Sequence, residues 1–279
     1  MTVIAYDRSA PALAAAVEAN MAEYLSVLGR LPQVEFHNDP DMIRFVTGIR
    51  HPLLNCVMGA RLAPNDVDSR VDATLRWFAA RNLPLTWYTG LSTRPPDLGT
   101  YLLAHGLIHA DDSPGMAVDL RALNEDLPAP ADLRIEYVGD RAALQQWLHP
   151  FGVGFELPET AASYFYDLFA RSGFGSDMSF RHYVGRLGAA PVACSTLFLG
   201  TSVAGIYDVA VVPEVRRRGI GAAITLAPLR EARALGYQVA VLFASAMGLP
   251  VYRRLGFQHY CAIGLYQSTA EGNSSDTSP

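Results

Sequence analysis

Lysine is absent from the 279 residues, so arginine carries all of the fixed positive charge, and 22 basic residues against 27 acidic ones leave a net charge of −5. That balance lacks the broad basic face a nucleic-acid partner needs, so none is expected. Cysteine is scarce: Cys56, Cys194 and Cys261 lie far apart in apolar stretches, where each reads as a small buried hydrophobe. An odd count with no signal peptide points to a reducing, cytoplasmic setting. Apolar runs stay well short of a bilayer span, so no membrane partner is expected. The seven histidines are scattered without metal-ligand spacing, and no metal site is expected. Without lysine there is also no group to reach a terminal phosphate from a P-loop, and the glycine spacing fits neither that motif nor the dinucleotide fingerprint.

What is present is concentrated in the second half. From Val209, Ala210 and Val211 a β-branched strand runs through Arg216, Arg217, Arg218, Gly219, Ile220, Gly221 and Ala222 into a helix that reaches Gly236. Glycines at 219 and 221 remove the Cβ atoms that would hold a ligand off the backbone, so consecutive N–H groups at a helix start can aim at one anion. The three arginines add forked donors suited to phosphate oxygens. Pro228 interrupts that helix and predicts a kink or local opening. About thirty residues on, a strand over 239–244 leads through Ser245 and Gly248 to Pro250, Tyr252, Arg253, Arg254, Leu255, Gly256 and Phe257. Pro250 suits a first helical turn, and Gly256 suits the left-handed position that ends one.

Arg216-x-x-Gly219-x-Gly221 resembles the acyl-CoA-binding signature of the GNAT superfamily of N-acetyltransferases, which reads Arg or Gln, two residues, Gly, one residue, then Gly or Ala. Tyr252-Arg253-Arg254-Leu255-Gly256-Phe257 is similar to that superfamily's second signature, in which a tyrosine on a short helix acts as general acid. The resemblance implies an α/β (α+β) fold with a mixed, mostly antiparallel sheet and helices on both faces. It also implies acetyl-CoA as acyl donor, with no metal, and a small-molecule or peptide amine as acceptor.

The first half repeats the plan. Pro64 leads into a helix to about Ala80, then a strand over 85–91, then a short helix ending at Gly106. Prolines 64 and 213 are 149 apart and Gly106 and Gly256 are 150 apart, a match with one residue of slippage. This resembles the tandem GNAT arrangement of mycothiol-synthase-like proteins. The repeat is degenerate: Asp66 and Asp68 stand at its helix start, where carboxylates repel a diphosphate, and Leu102 takes the place of Tyr252. The expected boundaries are a degenerate GNAT-like domain over 1–124, a proline-rich linker over 125–131, a catalytic GNAT domain over 132–267 and a disordered tail over 268–279. Within the catalytic half, strands are expected at 133–138, 182–186, 192–199 and 206–212, and helices at 141–149 and 160–171. The strand 116–120 would close the first domain. A homodimer is compatible with this plan.

The resemblance also implies site roles. The backbone of Val209, Ala210 and Val211 would bond a pantetheine arm lying as an extra strand. Residues 216–222 would hold the diphosphate, with Ser245 and Gly248 beside the cofactor, and Tyr252 would protonate the leaving thiolate. The general base is open. Relatives place a glutamate at the position of Gly205, which cannot serve. Asp208 is the nearest carboxylate, although strand alternation sets its side chain on the face opposite Tyr207. Glu156, in an aromatic region bordering the acceptor cleft, is a second candidate, and a water chain is the third option. The reading is an acyl-CoA-dependent N-acyltransferase. The alternative is a catalytically silent acyl-CoA-binding regulatory or interaction protein.

Overall fold

The structure is a computed structural model and describes residues 6–175 and 177–268. In chain order the elements are α1 (Ala10–Leu28), β1 (Glu35–Asn38), β2 (Ile43–Val46), β3 (Asn55–Met58), α2 (Val67–Ala79), β4 (Thr86–Thr89), α3 (Leu98–Ala104) and β5 (Leu107–Asp119). There follow β6 (Leu133–Tyr137), α4 (Arg141–Gly154), α5 (Glu159–Ser172), β7 (Phe180–Leu187), β8 (Ala190–Leu199), β9 (Ala204–Val211), α6 (Ile220–Ala234), β10 (Val239–Phe243), α7 (Leu249–Leu255) and β11 (Gln258–Ser268). Ser268 therefore ends a strand, and the remainder of the expected tail, 269–279, lies outside the described residues.

By contacts the chain forms two compact units: Ser113–Ala262 with the described residues up to Pro32, and Gln33–Asp112 with the described residues from Ile263 on. The first unit has the strand order β11-β5-β10-β9-β8-β7-β6. In it β6 to β9 pair antiparallel in sequence, β9 meets β10 in parallel, and β10 pairs antiparallel with β5. The second unit has the order β1-β2-β3-β4-β11, with β3 and β4 parallel. Each unit thus takes its last strand from the other half of the sequence: β5, expected to close the first domain, pairs with β10, and the end of β11 pairs with β4. The contact boundaries fall inside β5 and β11, whereas the linear reading places one linker at 125–131. A repeat along the chain and a packing unit are different divisions when terminal strands are exchanged.

In the first unit alternation sorts the two faces of the sheet. Ala193, Leu197, Ile206 and Leu242 pack with Ile220, Ile224 and Leu229 of α6 and Leu255 of α7 in one core. The other face carries Phe180, Phe198 and Tyr207, on which Tyr24 of α1 lies, stacked on Tyr207 at 4.3 Å. Trp147 of α4 reaches the same face and meets His182 at 5.2 Å. Helix α4 runs past 149 through Pro150 to Gly154, since Phe151 is buried in a stack on Trp147 at 4.7 Å. Gly188, at φ +58°, turns the β7–β8 hairpin.

Helix α6 runs without a break across Pro228. Proline has no N–H for the carbonyl four residues back, which is that of Ile224. The fully buried Ser195 supplies the missing donor, its Oγ lying 2.8 Å from Ile224 O. Ser195→Ala should therefore cost about 1–3 kcal/mol, the penalty for an unsatisfied buried acceptor. In a Pro228→Ala background, where the backbone N–H returns, the cost should shrink toward zero. Denaturant melts of the four variants measure this coupling, and equal losses in both backgrounds would contradict the pairing.

Candidate functional site

Strands β9 and β10 share only two rungs, Ala204 with Ala240 and Gly205 with Val241. Beyond them β9 continues to pair with β8 as far as Val211, while no rung joins residues 206–211 to β10 on the other edge. Val209 and Val211 are half-buried on that edge and Ala210 is buried, with the end of α4 seated on it: a Cβ on Gly154 would lie 2.5 Å from that of Ala210.

After β9 a short 3-10 turn, Pro213–Val215, leads to the basic loop. Arg216 is half-buried and its Nε donates to Val211 O at 2.9 Å, while Arg217 and Arg218 are exposed. Arg217, at φ +62°, and Gly219, at φ +83°, are both left-handed, and Ile220 begins α6 with no side-chain cap on its first turn. The first amides of a helix need partners from outside it, and here the fold leaves them to a ligand or water. The two glycines play different parts. A Cβ on Gly219 would sit 1.8 Å from Pro128 O, so this glycine admits the 125–131 segment. That segment is anchored: Glu125 pairs with Arg230 and Arg233, and Asn124 Nδ2 donates to Arg254 O at 3.0 Å. Gly221 has nothing nearer than Val211 Cγ2 at 3.8 Å, so its open side faces no protein atom closely.

Ser245 and Gly248 build the start of α7. Gly248 N donates to Ser245 Oγ at 3.1 Å, and a Cβ on Gly248 would lie 2.7 Å from the Tyr252 ring. Tyr252 is buried, its ring edge-on to Phe257 at 5.9 Å, and burial raises its phenol above the ordinary value. Gly256 closes the helix at φ +106°.

Asp208 lies on the other face of the sheet from the one expected. It does not follow strand alternation, because β9 bulges there: the register against β8 shifts between Cys194 and Thr196, and Asp208 takes φ +55°. The carboxyl lies within reach of the hydroxyl of Thr196, the residue paired with Tyr207, and so reaches the face of Tyr207. As a residue Asp208 is half-buried, yet its Oδ2 is closed off from water and has no partner among the described residues. Burial raises this carboxyl from 3.8 to about 7, with the Thr196 hydrogen bond pulling the other way. Glu156 stands exposed in the turn after α4, at φ +53°.

The space beside Gly205 is occupied by a residue from α1. A Cβ there would lie 2.0 Å from Asn20 Oδ1 and 2.5 Å from Tyr207 Cε2. Asn20, 2 % exposed, accepts from the Tyr207 hydroxyl at 2.8 Å and donates to Val203 O at 3.1 Å. Glu23, one turn on, accepts from Thr201 N. Nothing in the α1 sequence signals this; the glycines at 200 and 205, each needed for a close approach by Asn20, are the trace it leaves.

In the second unit β3 and β4 also share only two rungs, Cys56 with Thr86 and Val57 with Trp87. There α2 starts at Asp66 with Asp68 in its first turn, and Asp68 pairs with His105 at 3.0 Å. Anionic groups at that helix start disfavour a bound anion. Among the described residues no group of three or more His, Cys, Asp or Glu is placed to hold a metal, and no helix is long and apolar enough to cross a membrane.

The family model described as acetyltransferase (GNAT) domain matches residues 182–260. A mycothiol acetyltransferase from Pseudarthrobacter chlorophenolicus is 34% identical over 74 residues, which is 25% of this chain and 23% of that one. The chain thus spans about a quarter of the length of that curated relative. Among solved structures, a GCN5-related N-acetyltransferase from Kribbella flavida superposes with a TM-score of 0.70 at 20% identity, covering 94% of this chain and 98% of the other. A tandem GNAT protein from the clavulanic acid biosynthesis pathway does so with a TM-score of 0.58 at 16% identity, covering 98% of each chain. The fold is shared with these proteins along nearly the whole chain.

The two glycines of the loop give a test that separates structure from ligand binding. Gly219→Ala should lower the melting temperature strongly, since its Cβ meets a backbone carbonyl and its φ is left-handed. Gly221→Ala should leave the melting temperature nearly unchanged. Thermal melts of the two variants decide, and comparable damage from both would contradict the open space at Gly221.

Proposed function

Residues 182–260 are a GNAT acetyltransferase domain, and from that premise we propose that the chain is an acyl-CoA-dependent N-acyltransferase that moves an acetyl group from acetyl-CoA to a primary amine of a small molecule or peptide. The observation that carries this reading is the divergence of β9 from β10 beside the uncapped start of α6. Bound there, acetyl-CoA supplies an activated acyl group as its thioester.

The chain's own residues do the rest. The free edge of Val209, Ala210 and Val211 offers backbone donors and acceptors to an extended amide-bearing arm, as an added strand would use them. The amides of 219–222 hold the diphosphate, with Arg217 and Arg218 supplying charge and Arg216 bracing the loop against Val211. Asp208 takes the proton of the attacking amine. A base works best when its pKa lies near the working pH, and burial brings Asp208 there. Glu156, exposed, lacks the enclosure that shields a proton in transit. Tyr252 stays protonated because it is buried and gives its proton to the departing sulfur.

Thiol release from acetyl-CoA across a panel of amines tests the reading. Tyr252→Phe should lower turnover by roughly 10²- to 10⁴-fold, the usual worth of a positioned proton donor, with cofactor affinity barely changed. The rival, a silent acyl-CoA-binding protein, draws on Gly205 standing where relatives carry glutamate. Cofactor binding without acceptor-dependent thiol from any amine would favour it.

Asp208→Asn gives a second expectation, opposite in sign for activity and stability. Because the carboxyl is raised from 3.8 to about 7, the folded chain between those values holds a proton that the unfolded chain has lost. Stability therefore falls as pH rises through that window. Asparagine cannot ionise, so the variant should lose turnover and yet melt higher than the native chain at about pH 8. A lower melting temperature at that pH would contradict the burial of the charge.

A further inference from the structure

Asp208 is held by more than burial. The imidazole of His182, on β7 and 1 % exposed, has Nδ1 2.8 Å from Thr196 Oγ1 on β8. The Asp208 carboxyl on β9 lies within reach of the same hydroxyl, which pulls its pKa down. These three side chains make a row across three adjacent strands, and Thr196 is fully buried between the other two.

A hydroxyl has one hydrogen to give. When Thr196 gives it to the carboxylate, its oxygen must accept from His182, which fixes the neutral ring with its hydrogen on Nδ1. The other nitrogen, Nε2, is then a bare acceptor. Nε2 is the His182 atom that is buried without a hydrogen-bond partner among the described residues. It sits in a ring enclosed by Trp147 at 5.2 Å and Phe169 at 4.4 Å, where a bare lone pair is better tolerated than an orphaned N–H. Burial lowers the His182 pKa to about 3, so the ring stays neutral where Asp208 titrates.

We propose that His182 and Thr196 are positioning residues for Asp208, forming a one-way relay from His182 Nδ1–H to Thr196 Oγ1 and from the Thr196 hydroxyl to the carboxylate. The relay favours the ionised form. It rests on the reading of Asp208 as the general base. The relay hydrogens stay where they are during turnover: the amine proton goes to the Asp208 carboxylate, and from there to solvent.

The other ionisable groups around Asp208 do not replace this row. Cys194, on β8, donates from Sγ to the Asp208 backbone oxygen at 3.2 Å, and Tyr207, on β9, donates to Asn20. Burial and the Asp208 charge raise both, so both remain neutral. On α1, Glu23 bonds to Thr201; on α4, Arg141 and His149 are exposed; on α6, Glu231 pairs with Arg181.

Carbon-13 NMR of the full chain labelled at aspartate carboxyls reads the relay directly. Thr196→Val, which keeps the shape and removes the donor, should raise the Asp208 midpoint by about one pH unit, equivalent to a tenfold change in ionised fraction below it. Thr196→Ser should restore it. Nitrogen-15 NMR of the native protein should show His182 as the Nδ1–H tautomer, which needs no variant to fold. An unmoved midpoint in Thr196→Val, or an Nε2–H tautomer above the Asp208 midpoint, overturns the relay. Full turnover in Asp208→Asn would instead overturn the role of Asp208 as base while leaving the NMR results intact.

Discussion

Strand β9 has two edges with different fates, and the site is built from that difference. On one side it pairs with β8 to its end; on the other it leaves β10 after Gly205. Unpaired backbone groups on a strand edge demand a partner, and a buried stretch left without one is costly. The bulge at Asp208 belongs to the same stretch. It bends the strand where pairing with β10 has ceased and re-aims one carboxyl across the sheet, the use to which bulges beside active sites are put. The cradle after Val211 then follows as the continuation of a strand that ends free on one side.

Glycine makes these close approaches possible, though not always for the ligand's sake. Gly205 makes room for Asn20, Gly219 for the Pro128 carbonyl, and Gly248 for the Tyr252 ring. At Gly221, by contrast with these three, the space is left open. The motif glycines therefore divide between those that build the loop and one that leaves it open. Helix α1 enters as a packing element: Asn20 covers Gly205, the position where relatives are expected to carry a glutamate, and on the proposed reading the base comes from elsewhere. Asp208, one bulge away, has the burial to fill that role.

Much of this was legible in the sequence, and the limits have physical causes. Pro250 and Gly256 bracket a helix because each has a conformational preference readable from one residue. The strand-to-helix passage over 209–222 was legible from β-branched residues meeting glycines. The face of Asp208 was not, since alternation assumes unbroken pairing and a bulge leaves no mark in composition. The row of His182, Thr196 and Asp208 joins three strands through lateral register, which no local pattern encodes. Pro228 reads as a helix breaker in isolation, while the hydroxyl that compensates it comes from Ser195, thirty-three positions earlier and on another element. Exchange of β5 and β11 between the compact units was equally hidden, because pairing partners lie far apart along the chain.

The central claim is that the free edge of β9 and the first turn of α6 grip acyl-CoA through backbone amides. Hydrogen–deuterium exchange of the full chain, with and without acetyl-CoA, tests it at the level of single segments. The account predicts that amides over 209–211 and 217–222 slow on addition of acetyl-CoA, while those at the start of α2 in the second unit do not change. Unchanged exchange over 217–222 at saturating acetyl-CoA would contradict it.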